Sequence, residues 1–110
     1  MPDCIFCKIG RHEVPAKVVY EDQDTIAFYD IAPKSPGHTL LIPKSHHQWF
    51  QDLPDSVSDP LFRAAKTVAH KLKVDHKADF VRMNIVGTDV PHVHIHLFPQ
   101  SIQPGESPAH

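Results

Sequence analysis

No apolar run in this 110-residue chain is long enough to span a bilayer, and the basic-then-apolar start of an export signal is missing. Charge of one sign is missing too. Eleven Lys and Arg stand against 13 Asp and Glu, a net charge of −2, so nothing draws the surface as a whole toward nucleic acid or an anionic membrane. Glycine is limited to four residues, with neither a P-loop nor a Rossmann glycine turn, so a kinase or dinucleotide oxidoreductase finds no support. Cysteine is limited to two, Cys4 and Cys7. Without an export signal, that pair predicts reduced thiols used for metal or redox chemistry rather than a structural disulfide. These absences predict a soluble cytoplasmic protein with no nucleic-acid and no membrane partner.

What the chain has in excess is histidine, ten residues in all. His12, His70, His76 and His110 sit among charged or helical neighbours and read as solvated groups. His92, His94 and His96 differ: they occupy alternate positions in Pro91-His-Val-His-Ile-His-Leu-Phe-Pro99. In a strand, that alternation puts three imidazoles on one face and Val93, Ile95 and Leu97 on the other. Imidazole serves as nucleophile, proton carrier or metal ligand near neutral pH, so the row marks the chemistry. Three imidazoles along one straight strand span roughly 13 Å, too far to share one ion through bonds of about 2 Å. A zinc-dependent hydrolase held by all three is therefore disfavoured.

The rest of the chain predicts one α+β domain over residues 1–110, with residues 101–110 as a loose proline-rich tail. Cys4 to Gly10 reads as a short helix that Gly10 ends. Lys17–Glu21 and Thr25–Asp30 form a hairpin, His38–Pro43 an interior strand, and Phe80–Val86 a strand leading into the histidine strand. Leu61, Ala65, Val68 and Leu72 recur at helical spacing, predicting one long helix from about Asp59 to Val74, with Asp59 as N-cap and Pro60 at the first helical position. The sum is an antiparallel meander of about five strands covered by that helix. The Cys-x-x-Cys pair lacks the βαβ context of a redox motif. It fits a metal clip completed by histidines from the His46–His47 pair or from the histidine strand. Gly37-His38-Thr39 and Gly87-Thr88-Asp89 each offer close backbone approach and a hydroxyl to a phosphate.

The H-φ-H-φ-H-φ-φ pattern, where φ is apolar, resembles the signature of the histidine triad (HIT) nucleotide hydrolases and transferases. CIFCKI, Val14-Pro15-Ala16-Lys17-Val18, Ala27-Phe28-Tyr29-Asp30-Ile31, Pro36 to Lys44 and Val90 to Pro99 occur in the family's order. The resemblance implies the HIT-like fold and attack by His94 on the α-phosphorus of a purine nucleoside monophosphate derivative, through a nucleotidyl-histidine intermediate. His96 and His38 then stabilise charge and assist the leaving group. The ribose falls to Asp30, flanked by Phe28 and Ile31, and the base to Ile5, Phe6 and Ile9. Zinc-bearing members imply a structural Zn2+ on Cys4, Cys7, His46 and His92, and family members pair as homodimers. Before the triad, Asn84, Gly87, Thr88 and Asp89 form a shorter segment than the family's, with Thr88 where glutamine usually touches phosphate. The phosphoramidase branch is the leading expectation. A dinucleoside polyphosphate hydrolase, and a nucleotide-binding or protein-interaction module with vestigial hydrolysis, are the alternatives.

Overall fold

The computed structural model describes residues 4–102, so most of the expected tail, including His110, lies outside the described residues. The order is α1 (Ile5–Gly10), β1 (Val18–Glu21), β2 (Thr25–Tyr29), β3 (Thr39–Pro43), a 3-10 turn (Phe50–Asp52), α2 (Asp55–Asp75), β4 (Phe80–Val86) and β5 (His94–Gln100). All five strands pair antiparallel in the spatial order β1-β2-β3-β5-β4. The meander expectation is thereby corrected. It holds only through β1–β3, and β5 then enters beside β3 and leaves β4 at the edge. The consequence is functional, because the histidine strand runs in the sheet interior, bonded on both sides.

Alternation sorts the side chains into two cores. Ala27, Leu41, Ile95 and Leu97 face α2 and meet Leu61, Ala64, Ala65, Val68 and Leu72, all buried. Those helix positions recur at the spacing of one helical stripe, which is why this helix lies flat on the sheet. Ile26, Phe28, Leu40 and Ile42 point to the opposite face and meet Phe6 and Ile9 of α1. Six residues of helix cannot cover five strands, so the β5 end of this second face stays available for polar groups.

Helix α2 begins at Asp55, four residues before the expected start, with Pro54 as N-cap and Pro60 inside. The Pro54 carbonyl receives N–H groups from Val57 and Ser58, which starts the helix without the Asp59 cap. Pro60 already has the φ of a helix but withholds one N–H from it. Helix α1 ends at Gly10 as expected, though without a glycine turn. Gly10 is its last residue, and the left-handed conformation falls to His12, at φ 60°. Among the described residues no helix is long and apolar enough to cross a membrane.

Candidate active site

Strand register builds the site in rows across the sheet. Phe28 faces Leu40, Leu40 faces His96, and His96 faces Asn84, so one row crosses β2, β3, β5 and β4. In the next row Asp30 donates its backbone N–H to the His38 carbonyl at 3.0 Å, the His38 ring stacks on Phe98 at 4.3 Å, and Phe98 pairs with Arg82. His94 and His96 are alternate residues of β5 with ring centroids 5.0 Å apart, and the edge of Phe6 from α1 meets His94 at 5.1 Å.

Hydrogen bonds assign the ring protons. His94 Nδ1 lies 2.7 Å from the carbonyl of His92, an acceptor only, so Nδ1 carries a proton and in the neutral ring the lone pair falls to Nε2. His38 Nδ1 accepts the Lys34 backbone N–H at 3.2 Å, which places the His38 proton on Nε2. That proton is donated to His96 Nδ1 at 2.8 Å, and His96 in turn keeps its own proton on Nε2. The pair of strand histidines thus offers opposite faculties: a nucleophilic nitrogen at 94 and a proton donor at 96. Burial pushes His96 down to about 4, helped by neighbouring His94, His38 and Lys34 and opposed by Asp30, so the ring is neutral at physiological pH. Burial likewise lowers His38, with Asp30 raising it and the charges of Lys34 and Arg82 adding to the fall.

The expectation of three histidines in one strand row needs correction at His92. Strand β5 starts at His94, and His92 sits in the preceding loop, fully buried. Its Nε2 donates to the Pro43 carbonyl at 2.8 Å, which fixes Nδ1 as an acceptor facing the cysteines. Nδ1 lies 3.2 Å from Cys4 Sγ and 3.5 Å from Cys7 Sγ, while His46 Nδ1 lies 3.0 Å from Cys7 Sγ and 3.6 Å from Cys4 Sγ. The two sulfurs are 3.4 Å apart. A tetrahedral zinc with bonds of about 2.3 Å to sulfur and about 2.1 Å to nitrogen separates its ligands by roughly 3.4–3.8 Å. The four residues fit such an ion with a few tenths of an ångström of expansion, and the Pro43 carbonyl is the outer partner that a metal-binding histidine requires. Burial holds His92 at about 4, so it presents a lone pair rather than a proton.

The remaining expected residues divide. Asp30 is half-buried, with Oδ1 taking the Ala32 N–H at 3.0 Å and Oδ2 lying 3.6 Å from His38 Nδ1. Phe6, Ile9 and Phe28 belong to the second core, whereas Ile5 and Ile31 are exposed and open to a ligand. Asn84 is exposed directly across from His96. Gly87 is buried against Gln48 and Trp49, where a Cβ would come within 2.6 Å of the Gln48 carbonyl. Thr88 and Asp89 are exposed on the loop after β4. Sequence reasoning missed Arg82, whose guanidinium carbon lies 4.5 Å above the Phe98 ring, and the backbone N–H of Lys34. The alternation of Arg82 with Asn84 on β4 was the available signal for the first. No signal marked the second.

Residues 11–102 match the family model described as the HIT domain. Over 110 aligned residues the chain is 44% identical to an uncharacterised HIT-like protein of Methanocaldococcus jannaschii, covering 94% of this chain and 83% of that protein. It is 38% identical over 99 residues to the adenosine 5'-monophosphoramidase of Saccharomyces cerevisiae, covering 88% of this chain and 62% of that protein. Among solved structures, a member of the HIT family from Bacillus subtilis superposes with a TM-score of 0.85 at 28% identity, covering 98% of this chain and 84% of that one.

Proposed function

The chain belongs to the histidine triad (HIT) family, and from that premise we propose that it hydrolyses nucleoside monophosphate derivatives, phosphoramidates foremost, through a nucleotidyl-histidine intermediate. The observation that supports the reading is the 2.7 Å bond from His94 Nδ1 to the His92 carbonyl, which in the neutral ring holds the proton on Nδ1 and the lone pair on Nε2, the atom that would attack. Phosphoramidase activity in the yeast relative supports the choice of substrate class.

In the first step His94 Nε2 bonds to the α-phosphorus while the phosphorus–nitrogen bond breaks, and the departing amine takes the proton from His96 Nε2. His96 regains a proton on Nε2 from the adjacent water, so it ends the step neutral, while the His38 Nε2–H keeps His96 Nδ1 an acceptor along the 2.8 Å bond. In the second step the hydroxide so formed attacks the same phosphorus and the phosphorus–His94 bond breaks. The products are the amine and the nucleoside monophosphate. His38 acts through His96, and Asp30 takes the ribose hydroxyls on its carboxylate. Ile5 and Ile31 supply exposed apolar area for a purine.

Cys4, Cys7, His46 and His92 would hold a structural Zn2+. When bound, that ion cross-links α1 to the loop before β5; the reaction uses none of its ligands as acid, base or nucleophile. His92 nonetheless reaches the chemistry through its carbonyl. A homodimer completes the proposal, since Phe62, Val74, Phe80 and Met83 are exposed on α2 and the edge strand β4.

Adenosine phosphoramidate turnover tests the reading. The wild type should release AMP, and quenching in acid-free denaturant should trap an adenylylated protein. His94→Ala should abolish both while still binding AMP. AMP binding without turnover in the wild type would leave a nucleotide-binding module instead.

A further inference from the structure

Arg82 stands at the open end of the row that Asp30 begins, and nothing in the reaction above uses it. Its guanidinium lies over Phe98, 4.5 Å from the ring centroid, and Phe98 in turn stacks on His38. It is exposed, and among the described residues it forms no ion pair. Its charge nevertheless reaches the site, being one of the causes that hold His38 below the ordinary imidazole range. A guanidinium resting on an aromatic face, its N–H groups without a partner among the described residues, is placed to grip an oxyanion in two-point fashion.

Strand order says which part of a substrate meets it. Asp30 follows β2, the histidines lie on β3 and β5, and Asn84 and Arg82 lie on β4 beyond them. The ligating atoms of Asp30, His38 and His96 fall within 4.8 Å of one another, so a ribose on Asp30 already brings the α-phosphorus to His96. Neighbouring strands lie about 4.8 Å apart. The substituent that does not return toward Asp30 therefore continues one strand further, over Asn84 and Arg82. That substituent is the leaving group.

We propose that Arg82, beside Asn84, forms the leaving-group subsite and selects nucleoside phosphoramidates whose amine carries an oxyanion such as a carboxylate. The inference rests on the hydrolase reading above and deepens it. Arg82 is a specificity residue, apart from the atoms that make and break bonds.

The test compares two adenosine 5'-phosphoramidates of equal size, one formed with glycine and one with glycinamide, which differ only in the carboxylate. The wild type should prefer the glycine compound in kcat/KM by about tenfold, the value of one partly exposed charge-assisted contact near 1.4 kcal/mol. Arg82→Met keeps the apolar stem over Phe98 and should bring the ratio to about one; Arg82→Glu should invert it, and Arg82→Lys should restore part. Raising the salt concentration should compress the wild-type ratio alone. A ratio near one in the wild type, or a ratio unchanged in Arg82→Met, overturns the inference while turnover of both compounds upholds the parent reading. Failure of the wild type to turn over either compound overturns both.

Discussion

Replacing His38 with phenylalanine tests the proposed proton relay, because a ring of nearly the same shape can stay stacked on Phe98 while both ring nitrogens vanish. Two hydrogen bonds are lost: the 3.2 Å bond from the Lys34 N–H and the 2.8 Å bond to His96 Nδ1. At about 0.5–1.5 kcal/mol net for each bond, the cost in stability is about 1–3 kcal/mol, offset in part because an apolar ring is easier to bury. The kinetic effect should be larger than the folding effect. Freed from its donor, His96 can move its proton to Nδ1, which turns Nε2 from a donor into a lone pair facing the leaving group. General acid catalysis contributes about 10²–10⁴ in rate, so kcat/KM for an adenosine phosphoramidate should fall by about 10²–10³ with AMP affinity changed little. His38→Gln should recover part of the rate, since its amide can still donate to His96 Nδ1. The assay is steady-state release of AMP beside a urea titration for stability. Turnover of His38→Phe within threefold of the wild type would refute the relay and the proton placement inferred from it.

Chelation should lower the melting temperature before it lowers turnover if Cys4, Cys7, His46 and His92 hold a structural ion as proposed, since that ion would tie α1 to the loop before β5; calorimetry and activity followed over time after adding EDTA would show the order, and immediate loss of turnover at unchanged melting temperature would make the metal catalytic. Acid should destabilise the fold through His96: held at about 4 in the folded chain and near 6.5 when unfolded, it binds its proton first in the unfolded state, so stability falls as pH drops from about 6.5 to about 4 and is flat above. The fall in urea midpoint between pH 7.5 and 5 should be smaller in His96→Asn than in the wild type, which cancels any contribution from the metal cage. Gly37→Ala should cost at least about 2 kcal/mol, since Gly37 has φ 82° and an added Cβ would lie 2.7 Å from the Pro99 ring; a melting temperature within 2 °C of the wild type would contradict that. Leu41→Ala, at a fully buried position between sheet and α2, should cost about 2–5 kcal/mol without altering KM.

Much of this protein is written locally. The alternation of His94 and His96 with Ile95 and Leu97 requires a strand with one polar and one apolar face, and the recurrence of Leu61, Ala65, Val68 and Leu72 requires a helix with one buried stripe, because side-chain direction follows from backbone period alone. Helix limits were less legible: Asp59 and Pro60 suggested a start near Asp59, whereas the Pro54 carbonyl in fact provides one at Asp55, a matter of backbone hydrogen bonds rather than residue type. The Cys-x-x-Cys spacing pointed to a metal clip and the resemblance to its histidines, and the fold brings Cys4, Cys7, His46 and His92 together as a group that could hold one.

Tertiary structure alone decided which nitrogen of each histidine carries a proton. Those assignments depend on the carbonyls of His92 and Pro43, on the N–H of Lys34, and on a contact between His38 and His96 that joins strands 58 positions apart in sequence. It also decided that β5 lies between β3 and β4, which sets Arg82 beyond the histidines and takes His92 out of their row. Periodicity fixes the face on which a side chain emerges. What it meets there depends on which strands become neighbours and where their backbone dipoles point, and packing of the whole sheet settles both.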